Sequence, residues 1–314
     1  MRKIVIIFMC IALLALAGCP KEEGVEVSLQ PFIGGTQGLA ISFEANAPPA
    51  ETFDGGFSPF DVTVRLENKG EFDVDRKNTR VQISGIRAQE FNLLDEDFIK
   101  QPDEDLSAVF TDPTGTLIQG NPVFVEFKDF NHVGFIDAAS IPFTIAADVC
   151  YGYGTTAVSK LCVRRSILNP EEGGLCEINE NKPVFSSGAP VQISGFRESA
   201  RSSDKISFSF DINHAGTGNV FERESRCDTS LRRYQERIHV RVETKISGLS
   251  CSGLESKSGG VAEGFTTVFG GSKTVTCTQE VPSQDFESPV TIKLTYDYSD
   301  RIDTQIDVRS SGEQ

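Results

Sequence analysis

The chain reads as an all-β protein, with two tandem antiparallel β-sandwich domains behind a short apolar leader and a tether. Three observations predict this. Apolar and polar residues alternate in run after run from Leu39 onward, which is the period of strands with one buried face. The runs are short and bounded by turn residues, as at Asn68-Lys69-Gly70. Helical patterning is confined to two stretches, neither long enough to cover a sheet in the α/β manner.

Composition narrows the function. The chain has 314 residues, 39% of them hydrophobic, with 23 Phe and no Trp. That is too apolar for a disordered chain, and the length suits two ordinary domains. With 45 acidic and 30 basic residues the net charge is −15, which excludes a broad basic face for nucleic acid. Only three His are present, so His-based catalytic and metal constellations are scarce from the start.

The N-terminus is an address. Met1-Arg2-Lys3 is basic, Ile4 to Leu16 is uninterrupted and apolar, and Leu16-Ala17-Gly18-Cys19 follows. This is the layout of a secretory signal, and the apolar run is short of the ~20 residues a membrane span needs. Leu16-Ala17-Gly18-Cys19 resembles the lipobox of prokaryotic lipoproteins. The resemblance implies that residues 1–18 are a removed signal peptide and that the Cys19 thiol carries a diacylglyceryl group. It also implies that the body sits on the extracytoplasmic face of the cell membrane. Two acyl chains hold firmly, since each buried CH₂ contributes ~0.8 kcal/mol. Cys10 is an apolar filler of the discarded segment. Residues 19–38, with charge, glycines and Pro31, read as a flexible tether spanning roughly 25 Å. Cleavage removes Arg2 and Lys3 but no acid, so the exposed body is more acidic than the whole chain.

The first sandwich is expected over 39–165. Its alternating runs are Leu39-Ile41-Phe43, Phe60-Val62-Val64-Leu66, Val123-Val125-Phe127 and Phe143-Ile145-Ala147-Val149. Residues 166–188, rich in Asn, Pro, Glu and Gly, read as a linker. The second sandwich is expected over 189–310, on Ile206-Phe208-Phe210-Ile212, Ile238-Val240-Val242 and Val290-Ile292-Leu294. The helical candidates are 88–100 and 226–237. Val81-Gln82-Ile83-Ser84-Gly85 recurs as Val191-Gln192-Ile193-Ser194-Gly195, and Ile246-Ser247-Gly248 is a shorter echo, which suggests related units.

At Phe60 to Val74 the sequence FDVTVRLENKGEFDV resembles the opening strands of immunoglobulin-like, CARDB-type modules of prokaryotic surface proteins. The resemblance implies immunoglobulin-like sandwiches and an adhesive, spacer or substrate-presenting role.

Six cysteines follow Cys19: Cys150, Cys162, Cys176, Cys227, Cys251 and Cys277. An even set in an exported chain reads as disulfides, with 15 possible pairings. A hairpin turning at 153–156 would set Cys150 opposite Cys162, Tyr151 opposite Leu161 and Asp148 opposite Arg164, which satisfies cross-strand pairing on both faces. Cys162 with Cys176 is the rival. Cys251 with Cys277 is expected next, leaving Cys176 with Cys227. Zinc is not expected, because no C-x₂₋₄-C knuckle occurs.

Catalytic signals are weak. His132, His214 and His239 lie in unrelated contexts, and G-x-S-x-G, H-E-x-x-H and Walker A motifs are missing. Gly270-Gly271-Ser272-Lys273-Thr274 reads as a hairpin turn. Asp95-Glu96-Asp97 and Asp103-Glu104-Asp105 read as a solvated acidic loop, with weak Ca²⁺ binding as the alternative. Arg223, Arg226, Arg232, Arg233 and Arg237, interleaved with Glu, read as a salt-bridged surface or an anion- and partner-docking patch. The expected function is therefore non-catalytic binding or scaffolding at the envelope, with no cofactor or metal and with an envelope protein or glycan as partner. The rivals are a solute- or glycan-binding lipoprotein and a secreted hydrolase. Intact-mass spectrometry of native protein should find a chain beginning at an acylated Cys19. An unmodified chain retaining residues 1–18 would overturn the anchor.

Overall fold

The alternating runs become strands. Val62, Val64 and Leu66 are fully buried while Asp61 faces solvent, and Ile206, Phe208, Phe210 and Ile212 repeat the pattern. The computed structural model describes residues 30–168 and 173–312. Among these residues every regular element longer than four residues is a strand, and the sheets are almost wholly antiparallel. Cys19 and residues 1–29 lie outside the described residues.

The strands of the first part are β1 Leu39–Phe43, β2 Glu51–Phe53, β3 Phe60–Asn68, β4 Thr79–Ser84, β5 Ile99–Lys100, β6 Phe110–Thr111, β7 Leu117–Ile118, β8 Val123–Phe130 and β9 Ser140–Val163. Those that follow are β10 Glu180–Asn181, β11 Phe185–Ser186, β12 Val191–Ala200, β13 Lys205–His214, β14 Asn219–Phe221, β15 Arg237–Glu243, β16 Leu249–Cys251, β17 Glu255–Lys257, β18 Val261–Thr267, β19 Ser272–Glu280 and β20 Phe286–Arg309. One sheet orders β1-β3-β8 and a second β10-β12-β13-β19-β16. The largest orders β17-β18-β15-β20-β9-β4-β5, with β2, β11 and β14 added alongside, and β6 pairs with β7.

The expected hairpin at 153–156 does not form. β9 runs straight through it and pairs with β20 over all 24 residues, from Ser140↔Arg309 to Val163↔Phe286. Gly152 and Gly154 look like turn residues but are extended, and here they make room. A Cβ on Gly154 would lie 2.5 Å from the Phe72 ring. The first half of β9 pairs with β4, and the second half meets β11. The first half of β20 pairs with β15, and its last residues meet β2. Both long strands therefore serve both expected halves, and one buried apolar cluster joins Val64, Ile83 and Val149 to Phe210, Val240 and Ile292. Pro31 onward forms one compact unit. Within the expected linker, Phe185–Ser186 is a paired strand. At the end of the expected tether, Gly34 N donates to Glu71 (2.9 Å) and Gly38 O accepts from Lys69 N (2.9 Å), so these residues belong to the body.

The two expected helices are also corrected. Over 88–100 only two single 3-10 turns form, Ala88–Phe91 and Asp95–Phe98, because Asn92 turns left-handed at φ 59° between them. Over 226–237 there is one turn, Arg232–Tyr234, after Arg226 and Cys227 have left the helical region at φ 55° and 54°. The Ile-Ser-Gly echoes mark a local conformation. Gly85, Gly195 and Gly248 all have positive φ (88°, 62° and 85°), where a Cβ would be strained.

Four of the chain's five tyrosines lock this ribbon. Tyr151 and Tyr153 on β9 stand opposite Tyr298 and Tyr296 on β20, and all four are at most 2% exposed. Neighbouring ring centroids lie 5.8–6.4 Å apart. Each hydroxyl reaches a different backbone group. Tyr151 accepts from Leu39 N (3.1 Å), Tyr153 donates toward Gly188 O (3.3 Å), Tyr296 accepts from Val191 N (3.3 Å) and Tyr298 accepts from Gly218 N (2.8 Å). Burial pushes all four phenols upward, Tyr298 to about 12, so the belt is neutral at any physiological pH.

Glu198 on β12 is a buried carboxylate beside the Cys162 backbone. Both its oxygens accept from Cys162 N (3.1 and 3.0 Å), with Lys182 Nζ 3.6 Å away. Burial outweighs these partners and lifts it to about 7 from 4.5. The folded state then holds a proton that the unfolded chain has lost, so stability falls as pH rises through this window. A shift of this size is worth roughly 3 kcal/mol. Urea titrations between pH 4.5 and 7 should show that decline in the native chain. Glu198→Gln should flatten it, and an unchanged slope would refute the assignment.

Candidate functional site

Opposite the tyrosine face, the β9–β20 ribbon opens into a groove of about 790 Å³. Side chains alternate across a strand, so Cys150 and Gly152 on β9, and Thr295 and Asp297 on β20, fall on this side. Gly152 pairs with Asp297 and leaves the floor open. A Cβ there would come no nearer than 3.5 Å to a neighbour.

One lip is the segment 222–228, which arrives in a costly backbone state. Glu224, Arg226 and Cys227 all have left-handed φ, at 65°, 55° and 54°. Such residues cost of order 1–3 kcal/mol each and persist only where surroundings hold them. Two restraints do so. Cys227 is bonded to Cys150, and the Asp297 carboxylate accepts from Glu224 N (3.1 Å), Arg226 N (2.8 Å) and the Ser225 hydroxyl (3.4 Å). Burial raises the Asp297 carboxyl above its ordinary range, partly offset by these donors.

The other lip is the turn Arg76–Asn78 and the start of β4. Asp75 caps it by accepting from Lys77 N (2.7 Å), and Gln101 Nε2 donates to Lys77 O (3.1 Å). Phe72 closes one end, tilted on Tyr153 at 5.3 Å and 36% exposed.

The charges divide by occupation. Asp73 accepts from Ala108 N, Asp75 caps the turn, Glu224 pairs with Arg223 and Asp297 holds the lip. By contrast, none of the ion pairs among the described residues includes Lys77, Arg80 or Arg226, and all three line the groove. Arg80 acts on Asp228 only through space, a lesser influence than the Ser230 hydroxyl, which mainly lowers that carboxyl. Among the described residues Thr295 Oγ1 is buried without a hydrogen-bond partner.

The cysteines form three bridges, Cys150–Cys227, Cys162–Cys176 and Cys251–Cys277. The Cys150–Cys162 pairing is wrong because it needed the hairpin that β9 does not make, and the rival Cys162–Cys176 stands instead. Cys176–Cys227 falls with it. Cys251–Cys277 forms as expected, between directly opposed residues of β16 and β19.

Among the described residues, the group of His, Cys, Asp and Glu with converging ligand atoms is Cys150, Cys227 and Asp297. Its two sulfurs are already bonded to each other. The three histidines stay in separate settings: His132 is buried against Phe91 and Phe143, His214 lies against Tyr298, and His239 against Phe265. Burial lowers His214 and His239. In the acidic loop, Asp95 accepts from Gln89, Asp97 from Leu94 N and Asp105 from Arg76 N. The arginine cluster disperses. Arg237 pairs with Glu222 and covers Phe265, Arg233 covers Tyr234, and Arg226 turns to the groove.

Sequence reading missed the groove and the tyrosine belt. The available signals were Tyr151-Gly152-Tyr153 and Tyr296-Asp297-Tyr298, two period-two triplets whose facing only the strand register reveals.

No family model and no curated protein matches the chain. Among solved structures, the collagen-binding domain of the Erysipelothrix rhusiopathiae surface protein RspB aligns at 11% identity over 88% of this chain and 96% of that one. Its TM-score is 0.10, so it carries no argument about this chain.

Asp297→Ala should loosen the 222–228 lip. Under limiting reductant, maleimide labelling should then find Cys150 and Cys227 opened several-fold faster, with Cys251 and Cys277 unaffected. Unfolding should be easier by about 1 kcal/mol or more, the cost of orphaned part-buried donors. Unchanged labelling would show that Asp297 does not hold the lip.

Proposed function

We propose that this is a lipid-anchored envelope protein, tethered through Cys19, whose immunoglobulin-like sandwiches present the ribbon groove as a non-catalytic binding face. The observation that carries the reading is the groove's construction. Its frame is held by a disulfide, a buried carboxylate and two paired strands, while Lys77, Arg80, Arg226 and Thr295 keep unused binding capacity. A rigid frame with uncommitted polar groups suits recognition, because little ordering cost falls on the binding step.

The same facts weigh against a hydrolase. Its acid would have to be Asp297, Glu224, Asp73 or Asp75, and each of these already holds backbone or an ion pair. Three disulfides support an oxidising, exported setting, in keeping with the lipobox resemblance. The two-sandwich reading rests on buried alternation at both ends of the ribbon.

The test uses isolated cell-envelope fragments and the full chain. The native protein should be retained by them, whereas Gly152→Phe, which fills the groove floor, should lose retention with its unfolding midpoint preserved. Retention of Gly152→Phe at the native level would overturn the groove as the binding face.

A further inference from the structure

We infer that the groove takes an acidic polysaccharide, a chain of sugars bearing carboxylate or sulfate groups. The inference rests on the binding reading above and adds the class of ligand.

Charge comes first. The chain carries −15 overall, and its far field repels anions. Beyond a Debye length of about 8 Å that field is screened, so binding is decided by what lines the groove. There the carboxylates are occupied by backbone donors, a turn cap and Arg223, whereas Lys77, Arg80 and Arg226 have no ion-pair partner among the described residues. The groove thus has anion-binding capacity in surplus although its formal charges balance. Cations arrive from both lips, Lys77 and Arg80 from one and Arg226 from the other, so an anion lying along the floor is met from both sides.

The floor distinguishes sugar from peptide. One common way for a peptide to dock on a sheet is to add a strand to an open edge. This floor is the face of a sheet, and β9 at Cys150–Tyr151 is flanked by β4 on one side and β20 on the other. Its backbone groups are engaged in ladders, so recognition must come from side chains. Those present are the Asn78 amide, the Thr295 hydroxyl and the exposed Phe72 ring. Amide and hydroxyl match sugar hydroxyls, and an aromatic face matches the apolar C–H side of a sugar ring. Thr295 is the telling group, because a buried hydroxyl without a partner costs free energy until something bonds to it.

The test measures binding of a fluorescent oligogalacturonate to the full chain by anisotropy. Parallel titrations use its methyl ester, which has the same sugars without charge, and an oligoglutamate of similar charge. The acidic sugar should bind, weaken as salt rises, and exceed both controls by about tenfold or more. Arg80→Glu with Arg226→Glu should weaken it by at least about tenfold, and the milder Thr295→Val should weaken it severalfold, both with native unfolding midpoints. Equal binding of oligoglutamate would overturn the sugar class, and equal binding of the methyl ester would overturn the acidic one. Unchanged affinity in both variants would overturn the location. If the oligogalacturonate fails to bind while Gly152→Phe still abolishes envelope retention, this inference falls and the binding groove stands. If retention is also insensitive to Gly152→Phe, both fall.

Discussion

The uninterrupted pairing of β9 with β20 is the constraint on which the molecule depends. Two strands of 24 residues, at about 3.3 Å per residue, make a ribbon up to about 80 Å long. One end pairs with β4 and β2 and the other with β11 and β15, so strands from both halves of the chain are held in one register. A flexible linker would have left them free to move. The tyrosine belt lies near the midpoint, where the start of β1, the segment Gly188–Val191 and the turn at Gly218 meet. A tyrosine supplies a large apolar ring for a crowded junction and a polar tip for a stray backbone group. Four of them satisfy Leu39, Gly188, Val191 and Gly218 at once. The polar loops that converge there would otherwise have buried unpaired donors and acceptors.

The groove follows from the same alternation. With the tyrosines on one face, Gly152 and Asp297 must lie on the other, and a glycine opposite a short acid leaves a hollow. Asp297 links the two faces of the story. It is in the groove, but its oxygens are turned to the 222–228 lip and hold three left-handed residues in place together with the Cys150–Cys227 bridge. Local strain, buried charge and covalent closure thus sit within a few residues. These restraints explain why the lip never becomes the helix that its composition suggested.

Much of the local structure was legible from residues alone. Phe60 to Leu66 and Ile206 to Ile212 name their buried faces, and Cys251–Cys277 was readable because both lie on expected strands. What misled was glycine. Gly152 and Gly154 look like a turn, yet Gly154 admits the close approach of Phe72 and Gly152 leaves the groove floor open, and period-two patterning cannot tell these uses apart. One wrong turn then produced the wrong bridge, since Cys150 faces Cys162 only if the chain folds back between them. The acidic and arginine-rich stretches looked distinctive for their charge, but Arg80 and Arg226 gain meaning only by meeting across a groove, from positions far apart in the chain.

The sequence by itself determined that this is an all-β body, which residues face its core, and that six cysteines suit bridges. These are local or compositional properties, set by alternation, turn chemistry and residue counts. Only the tertiary structure decided which cysteines meet, that β9 and β20 run unbroken through both halves, and that three cations without an ion pair among the described residues gather over a glycine floor. The last two depend on segments more than a hundred residues apart, and the bridges join residues 14 to 77 apart whose meeting no local pattern encodes. In that register Tyr151, Tyr153, Tyr296 and Tyr298 meet in one buried belt.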